Sequence, residues 1–442
     1  MTYSSYVQPD SARASRFSLS MAWWALFSAM FWIYVAVASA GAVGLVNTLI
    51  GMLLTVATYG LVNRVLSQYS ARTGLTVELL SRSMFGIVGS ALATLIFAAT
   101  AIYYCVFEGS IIAIAFQKQL GGPLELWYAV VVLYAIPLAS GPVQRWLDRL
   151  NAWLLPLYAL GLVLVVVLAT VQQGVPDSIF DVVPAGPLPG WVTSYLIYMG
   201  VWIMMMYTFD YARMGRERDE KFHGRMTFGW VFYVFTFAVN GLVGIYLIAA
   251  TGHEGSETGV VDAFLGTMGF FGLLVIFVSQ TRINTANYYL ASTNLDAFAT
   301  RVFRLTLPRW VYVVVAGAIT FVLMLTNVVS WLLTALAWQG VFVVAWVVIA
   351  LVFIGLTRGS TAVPEVRRDR LTGVTLGALS WVVAAVVGIL LTEFAAASVW
   401  GALAPVITAV LAAGGAVLAF RVQPPRMIER SEDVHLDEQL MA

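Results

Sequence analysis

Charge is what this sequence has least of. Of its 442 residues, 60% are apolar and only 11% are charged, roughly half the charged share of an average soluble domain. Such a chain cannot clothe a water-facing surface, so it reads as a membrane protein. Cysteine is nearly missing too: Cys105 stands alone, which excludes an internal disulfide. The only histidines, His223, His253 and His435, sit in polar segments, which argues against haem or a histidine-ligated metal inside the bilayer. No cofactor is expected. The short alternating segments of a membrane barrel are also lacking.

What is present is a series of long apolar runs, such as LIYMGVWIMMMYTF and AVVGILL. Each run must satisfy its backbone polar groups internally when lipid surrounds it, which makes it a helix. Breaks of charge, Gly and Pro divide the chain into twelve expected spans: 20–40, 42–66, 88–117, 125–142, 151–172, 189–210, 227–251, 262–293, 310–327, 329–356, 372–392 and 395–420. AVASA, at 36–40, has the look of a signal-peptidase site. The preceding MAWWALFSAMFWIYV is too long and too rich in Trp for a signal's apolar core, so it reads as a retained first helix.

An even number of spans puts both termini on one side, and every basic residue except Lys118 and Arg282 falls in the segments on that side. The positive-inside rule makes that side cytoplasmic. The opposite loops, PDSIFDVVP and GHEGSETGVVD, carry acids and no Lys or Arg. No segment outside the spans is large enough for a separate catalytic domain. The spans offer no nucleophile or metal cluster either, so no enzyme is expected.

Ionisable side chains within a span are costly and mark candidate sites. Two stand out, Glu108 in span 3 and Arg282 in span 8. Tyr104 lies one helical turn before Glu108, so an aromatic surface and a carboxylate share one face. On span 8, Gln280, Asn284 and Asn287 cluster on one face while Arg282 projects nearly opposite. Glu108 either binds a ligand or ties two helices by pairing with Arg282; Asn287 is either a ligand amide or an interhelical bond. In span 6, Gly200 weakens an apolar helix beside Trp202, where unwinding would expose backbone polar groups and an indole face. Spans 3 and 8 correspond if the first ten spans form two five-helix repeats, an arrangement characteristic of secondary transporters.

At these residues the chain resembles the nucleobase-cation symport family, which includes hydantoin transporters and cytosine permeases. RTGLTVELLSRSMFGIVGS, at 72–90, is similar to the family's segment between spans 2 and 3. GVWIMMMYTFDYAR, at 200–213, is similar to its span 6, with Trp202 in the ligand-stacking position. In span 3 the family's aromatic-x-x-x-Gln becomes Tyr104-Cys-Val-Phe-Glu108. Anchoring the family's substrate Asn on Asn287 brings Thr281 and Arg282 to the positions of two sodium-binding hydroxyl residues; matching NTA instead moves the register by one.

The resemblance implies an all-α LeuT-type fold, with spans 1, 2, 6 and 7 rocking against a scaffold that contains 3, 4, 8 and 9. It divides the chain into a cytoplasmic N-terminus (1–19), a first repeat (20–172), a second inverted repeat (189–356), peripheral spans 11 and 12 (372–420) and a cytoplasmic tail (421–442). Substrate would lie between broken spans 1 and 6 and helices 3 and 8. Tyr104, Glu108, Gly200, Val201, Trp202, Asn284 and Asn287 would contact it. The break in span 1 should fall around SAMFWIYVA, where Ala29 and Phe31 offer carbonyls.

The function expected is import of a small planar nitrogen heterocycle, cytosine-like because a carboxylate accepts from ring N–H or amino groups. The partners would be that substrate and the lipid bilayer of the inner membrane, with no nucleic acid and with a monomer as the working unit. Arg282, permanently charged, would fill the sodium cavity with Thr281, Ala29 and Phe31 around it. Transport would then be sodium-independent, either proton-coupled or passive. A sodium-coupled symporter of a hydantoin, allantoin or vitamin-like pyrimidine is the alternative, and a membrane receptor or scaffold is the reading outside the transporter class.

Overall fold

The apolar runs become helices, as a backbone deprived of water requires. The computed structural model describes residue 7 and residues 13–140, 143–326, 332–357 and 362–429. The expected tail beyond residue 429, most of the first 12 residues and the start of the span expected from 329 lie outside the described residues.

Helix α1 (Arg16–Trp24) runs on through a tight 3-10 turn, Ala25–Ser28, and then stops. The chain is extended at Ala29 (ψ 125°), and α2 (Phe31–Val43) leaves at 42° to the first piece. The break falls within SAMFWIYVA, as the sequence led us to expect. Helix α3 (Leu45–Thr73) ends at Gly74, whose φ of 73° belongs to a left-handed helix cap.

Helix α4 (Val77–Leu120) begins under the hydroxyl of Thr76, which accepts from the Leu79 N–H at 3.0 Å. At Gly86 its backbone turns to φ 77°, ψ −179°, a conformation a side chain would resist. The N–H groups of Ile87 and Val88, freed by this kink, donate to the carbonyls of Thr372 and Gly373 at 3.1 and 2.8 Å.

Helices α5 (Leu124–Ser140) and α6 (Val143–Gln173) lead to a second broken pair, α7 (Gly190–Met199) and α8 (Ile203–Ala212), bent by 44°. The bend lies at Gly200, Val201 and Trp202, the residues where the sequence suggested unwinding. A Cβ placed on Gly340 would sit 3.2 Å from the Cα of Gly200, so two glycines let the backbones meet here. The next stretch joins short helices α9 (Glu220–Phe222) and α10 (Trp230–Tyr233) to α11 (Asn240–Thr251) through two π-helical turns, His223–Thr227 and Val234–Val239.

The expected span at 262–293 is in fact parts of two helices. Helix α12 (Glu257–Met268) ends at Gly269 (φ 55°), and α13 (Phe270–Val302) starts afresh. The apolar run is continuous through the junction, so hydropathy does not register the turn that a single positive φ creates.

Helices α14 (Arg309–Leu325) and α15 (Leu332–Leu356) follow. A two-residue strand β1 (Val363–Pro364), helix α16 (Leu376–Phe394), the single turn α17 (Val399–Ala402), helix α18 (Ala404–Val422) and strand β2 (Met427–Ile428) complete the fold. β1 and β2 pair antiparallel and fix the segment that follows α18 beside the one that leads to α16. Among the described residues seven helices are long and apolar enough to cross a membrane, and each bent pair would add one more. The protein is a multi-pass helical membrane protein.

Helix α13 packs along α4, and a buried ion cluster locks one end of that pair. Glu78 on α4 accepts from Arg301 on α13 and from Arg82 one turn along α4, the latter at 2.9 Å; Arg301 also donates to Ser90. At the same end Asp210, at the foot of α8, accepts from the backbone N–H of Val77 at 2.7 Å.

Candidate functional site

The two broken pairs converge on a small cavity flanked by α4 and α13. Six residues expected from the sequence line it: Ala29, Phe31, Tyr104, Glu108, Val201 and Asn287. Leu26, Trp32, Ile203, Met204, Tyr207 and Ile283 complete its wall. Helical geometry explains the grouping on α4, since residues four apart present the same face.

Glu108 is 1% exposed, and its carboxylate accepts from the side-chain amide of Gln280 on α13. The oxygen of the same amide accepts from the backbone N–H of Met30 at 3.0 Å. That N–H belongs to the start of α2, where a helix has no partner of its own for it. One glutamine thus serves a buried carboxylate and the break in the first pair. The sequence put Gln280 on the Asn287 face but gave no sign of its partners, because the pairing depends on how α13 is registered against α4 and α2.

Asn287 accepts from the Tyr207 hydroxyl through Oδ1 at 3.4 Å, while its Nδ2 and the Tyr104 hydroxyl have no partner among the described residues. Buried polar groups left unpaired cost roughly 1–3 kcal/mol each, so these two donors suit a ligand or water. The Tyr104 ring stands edge-on to Phe31 with centroids 5.3 Å apart. The cavity measures about 20 Å³, room for about one water and too little for a heterocycle. A larger occupant requires the surrounding helices to part.

Other expected residues lie nearby but outside the lining. Trp202 is buried with its ring edge-on to Tyr59 of α3, centroids 6.5 Å apart, and its indole N–H has no partner among the described residues. Gly200 is at the close approach to Gly340. Asn284 is buried beside Gly109, with neither atom of its amide partnered among the described residues.

Thr281 and Arg282 part company. Thr281 shares a hydrogen bond of 2.9 Å with the Tyr134 hydroxyl, which directs it to α5. Arg282 is 2% exposed and interacts electrostatically with Tyr158 of α6. Tyr158 in turn donates to Asn240 at 2.8 Å, and Asn240 donates to the carbonyl of Phe27 at 2.7 Å. This chain of contacts links the surroundings of Arg282 to the turn before the break. At the break itself Ser28 donates to the carbonyls of Ala25 and Ser279, at 2.8 and 3.3 Å.

Two discontinuous helix pairs, flanked by a long kinked helix and a polar partner helix, are the arrangement of the LeuT-type fold. Solved structures with this arrangement match the chain over almost its whole length. Mhp1, a nucleobase-cation-symport-1 family transporter in a closed conformation with bromovinylhydantoin bound, is 15% identical, with a TM-score of 0.75 and 99% of both chains covered. The inward-facing conformation of Mhp1 is 17% identical at a TM-score of 0.76, covering 99% of this chain and 97% of that one. A Na+-coupled sialic acid symporter in a substrate-bound outward-open state is 12% identical at 0.65, covering 97% and 94%. No family model matches the sequence, and no curated protein matches it.

Proposed function

We propose that the protein is a secondary active transporter that imports a small planar nitrogen heterocycle by alternating access. One observation carries this reading: Glu108, Asn287 and Tyr104 meet in a single cavity between two broken helices. A carboxylate accepting from ring or amino N–H, an amide able to do both, and a phenol ring beside them suit a flat polar ring. Glu108 favours an amino-bearing ring such as cytosine. The resemblance of the sequence to nucleobase-cation symporters, and the likeness in fold to Mhp1 with its bound hydantoin, support the same choice.

Admitting the ring demands expansion of the cavity. In this reading the bundle of spans 1, 2, 6 and 7 swings against the scaffold, and Trp202 turns from Tyr59 to stack on the substrate beside Tyr104. Gly200, Val201 and Asn284 border the enlarged space. Twelve spans follow if α5, α14 and the polar α13 join the nine apolar ones. Ten of them would form two inverted repeats, 20–172 and 189–356, with 372–420 peripheral. Both termini would be cytoplasmic at the inner membrane, on the basic side of the chain. The working unit would be a monomer.

The coupling follows from Arg282. In this reading the buried Arg282 guanidinium takes the role of the mobile cation that relatives would recruit, so uptake is sodium-independent and either proton-coupled or passive. A second reading has one observation in its favour. Ser28 and the carbonyls of Ala25 and Ser279 form an oxygen-rich point at the break, which would suit sodium.

Purified protein in proteoliposomes decides among these. Uptake of cytosine or a related ring, absent with Glu108→Gln, supports the transporter. Stimulation by sodium overturns the fixed-cation mechanism. Failure to take up or to be stabilised by any nucleobase, hydantoin, allantoin or pyrimidine overturns the substrate class and leaves a receptor or scaffold.

A further inference from the structure

A second cavity, about 160 Å³, lies far from the breaks, where the first residues of α4, the entrance to α16 and the exit of α18 come together. Its walls include Ser83, Arg370, Thr372, Thr375, Gln423 and Arg426. The pocket is held open by built contacts. Thr375 donates its hydroxyl to the carbonyl of Met84 at 2.6 Å and caps α16, accepting from the Ala378 N–H. Arg426 donates to the backbone carbonyl of Arg370 at 2.5 Å, and the β1–β2 ribbon fixes the segment that carries Arg426.

The chemistry of the lining is that of an anion site. Two guanidinium groups border it, and Arg370 is opposed only by the exposed Asp369 at 3.1 Å among the described ion pairs. Ser83, 7% exposed, contributes a buried hydroxyl with no partner among the described residues. The amino end of α16 adds the partial positive charge of its first turn. At the same end Arg82 and Arg301 share the single carboxylate of Glu78, and Arg367 pairs with Glu365. Arg368, close enough to feel Arg82 and Arg304, adds a further cation, so the arginines outnumber the carboxylates and the local field is positive.

The surroundings choose the source of the anion. Val88 on α4, Val374 before α16, Leu376 and Leu379 on α16 and Val422 on α18 are 61%, 59%, 39%, 57% and 66% exposed. They form an apolar flank next to a charged pocket at the end of membrane-crossing helices. A free anion has no use for that flank, whereas a lipid brings both a charge and chains.

We infer that this pocket binds the phosphate of an anionic phospholipid, whose acyl chains lie along α4 and α16. The lipid would sit at the basic end of the helices and bridge the peripheral pair α16 and α18 to the transport core.

Thermal unfolding of the full-length protein in detergent tests this, with phosphatidylglycerol, phosphatidylcholine or inorganic phosphate added at equal concentration. Phosphatidylglycerol should raise the midpoint while the other two leave it unchanged, and raised salt should weaken the shift. Arg370→Gln should require about five- to tenfold more lipid for the same shift, and Arg370→Lys should restore most of it. This variant keeps the backbone carbonyl that Arg426 uses, so the pocket's own contacts survive. Ser83→Ala provides a second variant with the same expected direction. An equal shift from phosphatidylcholine, or a phosphatidylglycerol shift undiminished in both variants, would overturn the proposal. So would an equal shift from phosphate alone, which would make the occupant a soluble anion.

Discussion

Gln280 donates to the carboxylate of Glu108 while accepting from the N–H that opens α2, so one side chain couples the α4 carboxylate to the broken first span. The candidate binding group and the backbone of the break are therefore one hydrogen bond apart on either side of an amide. Substrate contact at Glu108 would be felt at the break directly.

Gln280→Leu should orphan both the Glu108 carboxylate and the Met30 N–H, at a cost of about 1–3 kcal/mol for each group. The variant should unfold at lower temperature and lose uptake. Glu108→Gln keeps an acceptor for the Gln280 amide, so it should retain its unfolding midpoint while losing the stabilisation by substrate. Equal melting losses in the two variants would contradict this division of roles.

Replacing Arg282 with serine offers a direct test of the fixed cation. The wild-type protein should transport equally in sodium and in choline buffer. Arg282→Ser should transport only with sodium, because a hydroxyl can ligate the ion that the guanidinium replaces. Loss of transport in both buffers would count against a substituting role.

Glu78 should be essential to the packing of α13 on α4. Glu78→Ala would leave Arg82 and Arg301 without their shared carboxylate, and disrupting a buried pair costs roughly 3–5 kcal/mol. The Arg301→Ala change alone should cost less, and the double variant should fall well short of the sum. Unfolding in detergent measures all three.

The contact of Gly200 and Gly340 predicts a steric effect that grows with size. Gly340→Ala should be mildly destabilising, and Gly340→Leu should cost about 1–3 kcal/mol by overpacking, with uptake falling in parallel. An active, fully stable Gly340→Leu protein would show that the two backbones do not need their close approach.

Much of this was legible in the residues. Long apolar runs pointed to the helices, and Gly200 pointed to the second break, because a membrane helix opens readily where it has no side chain to protect it; the break within SAMFWIYVA was implied only by the family resemblance. Tyr104 and Glu108 could be grouped from helical phase and polarity, whereas joining Asn287 of another helix to them took the family resemblance. The direction of the Trp202 ring could not, since it depends on Tyr59 from another helix. Nor was the Thr281 partner legible: its hydroxyl meets that of Tyr134 on α5, a contact set by how two helices pack. The turn at Gly269 escaped because both flanks are equally apolar.

The kink at Gly86 has a consequence for how the chain is made. The Ile87 and Val88 amides are capped by carbonyls of Thr372 and Gly373, which leave the ribosome only after nearly the whole core has been synthesised. Until then those two donors lack their protein partners, and the kink is expected to settle only once the segment ahead of α16 has been made. A chain terminated before residue 372 should consequently remain a better substrate for quality-control proteases than its intact set of core helices would suggest.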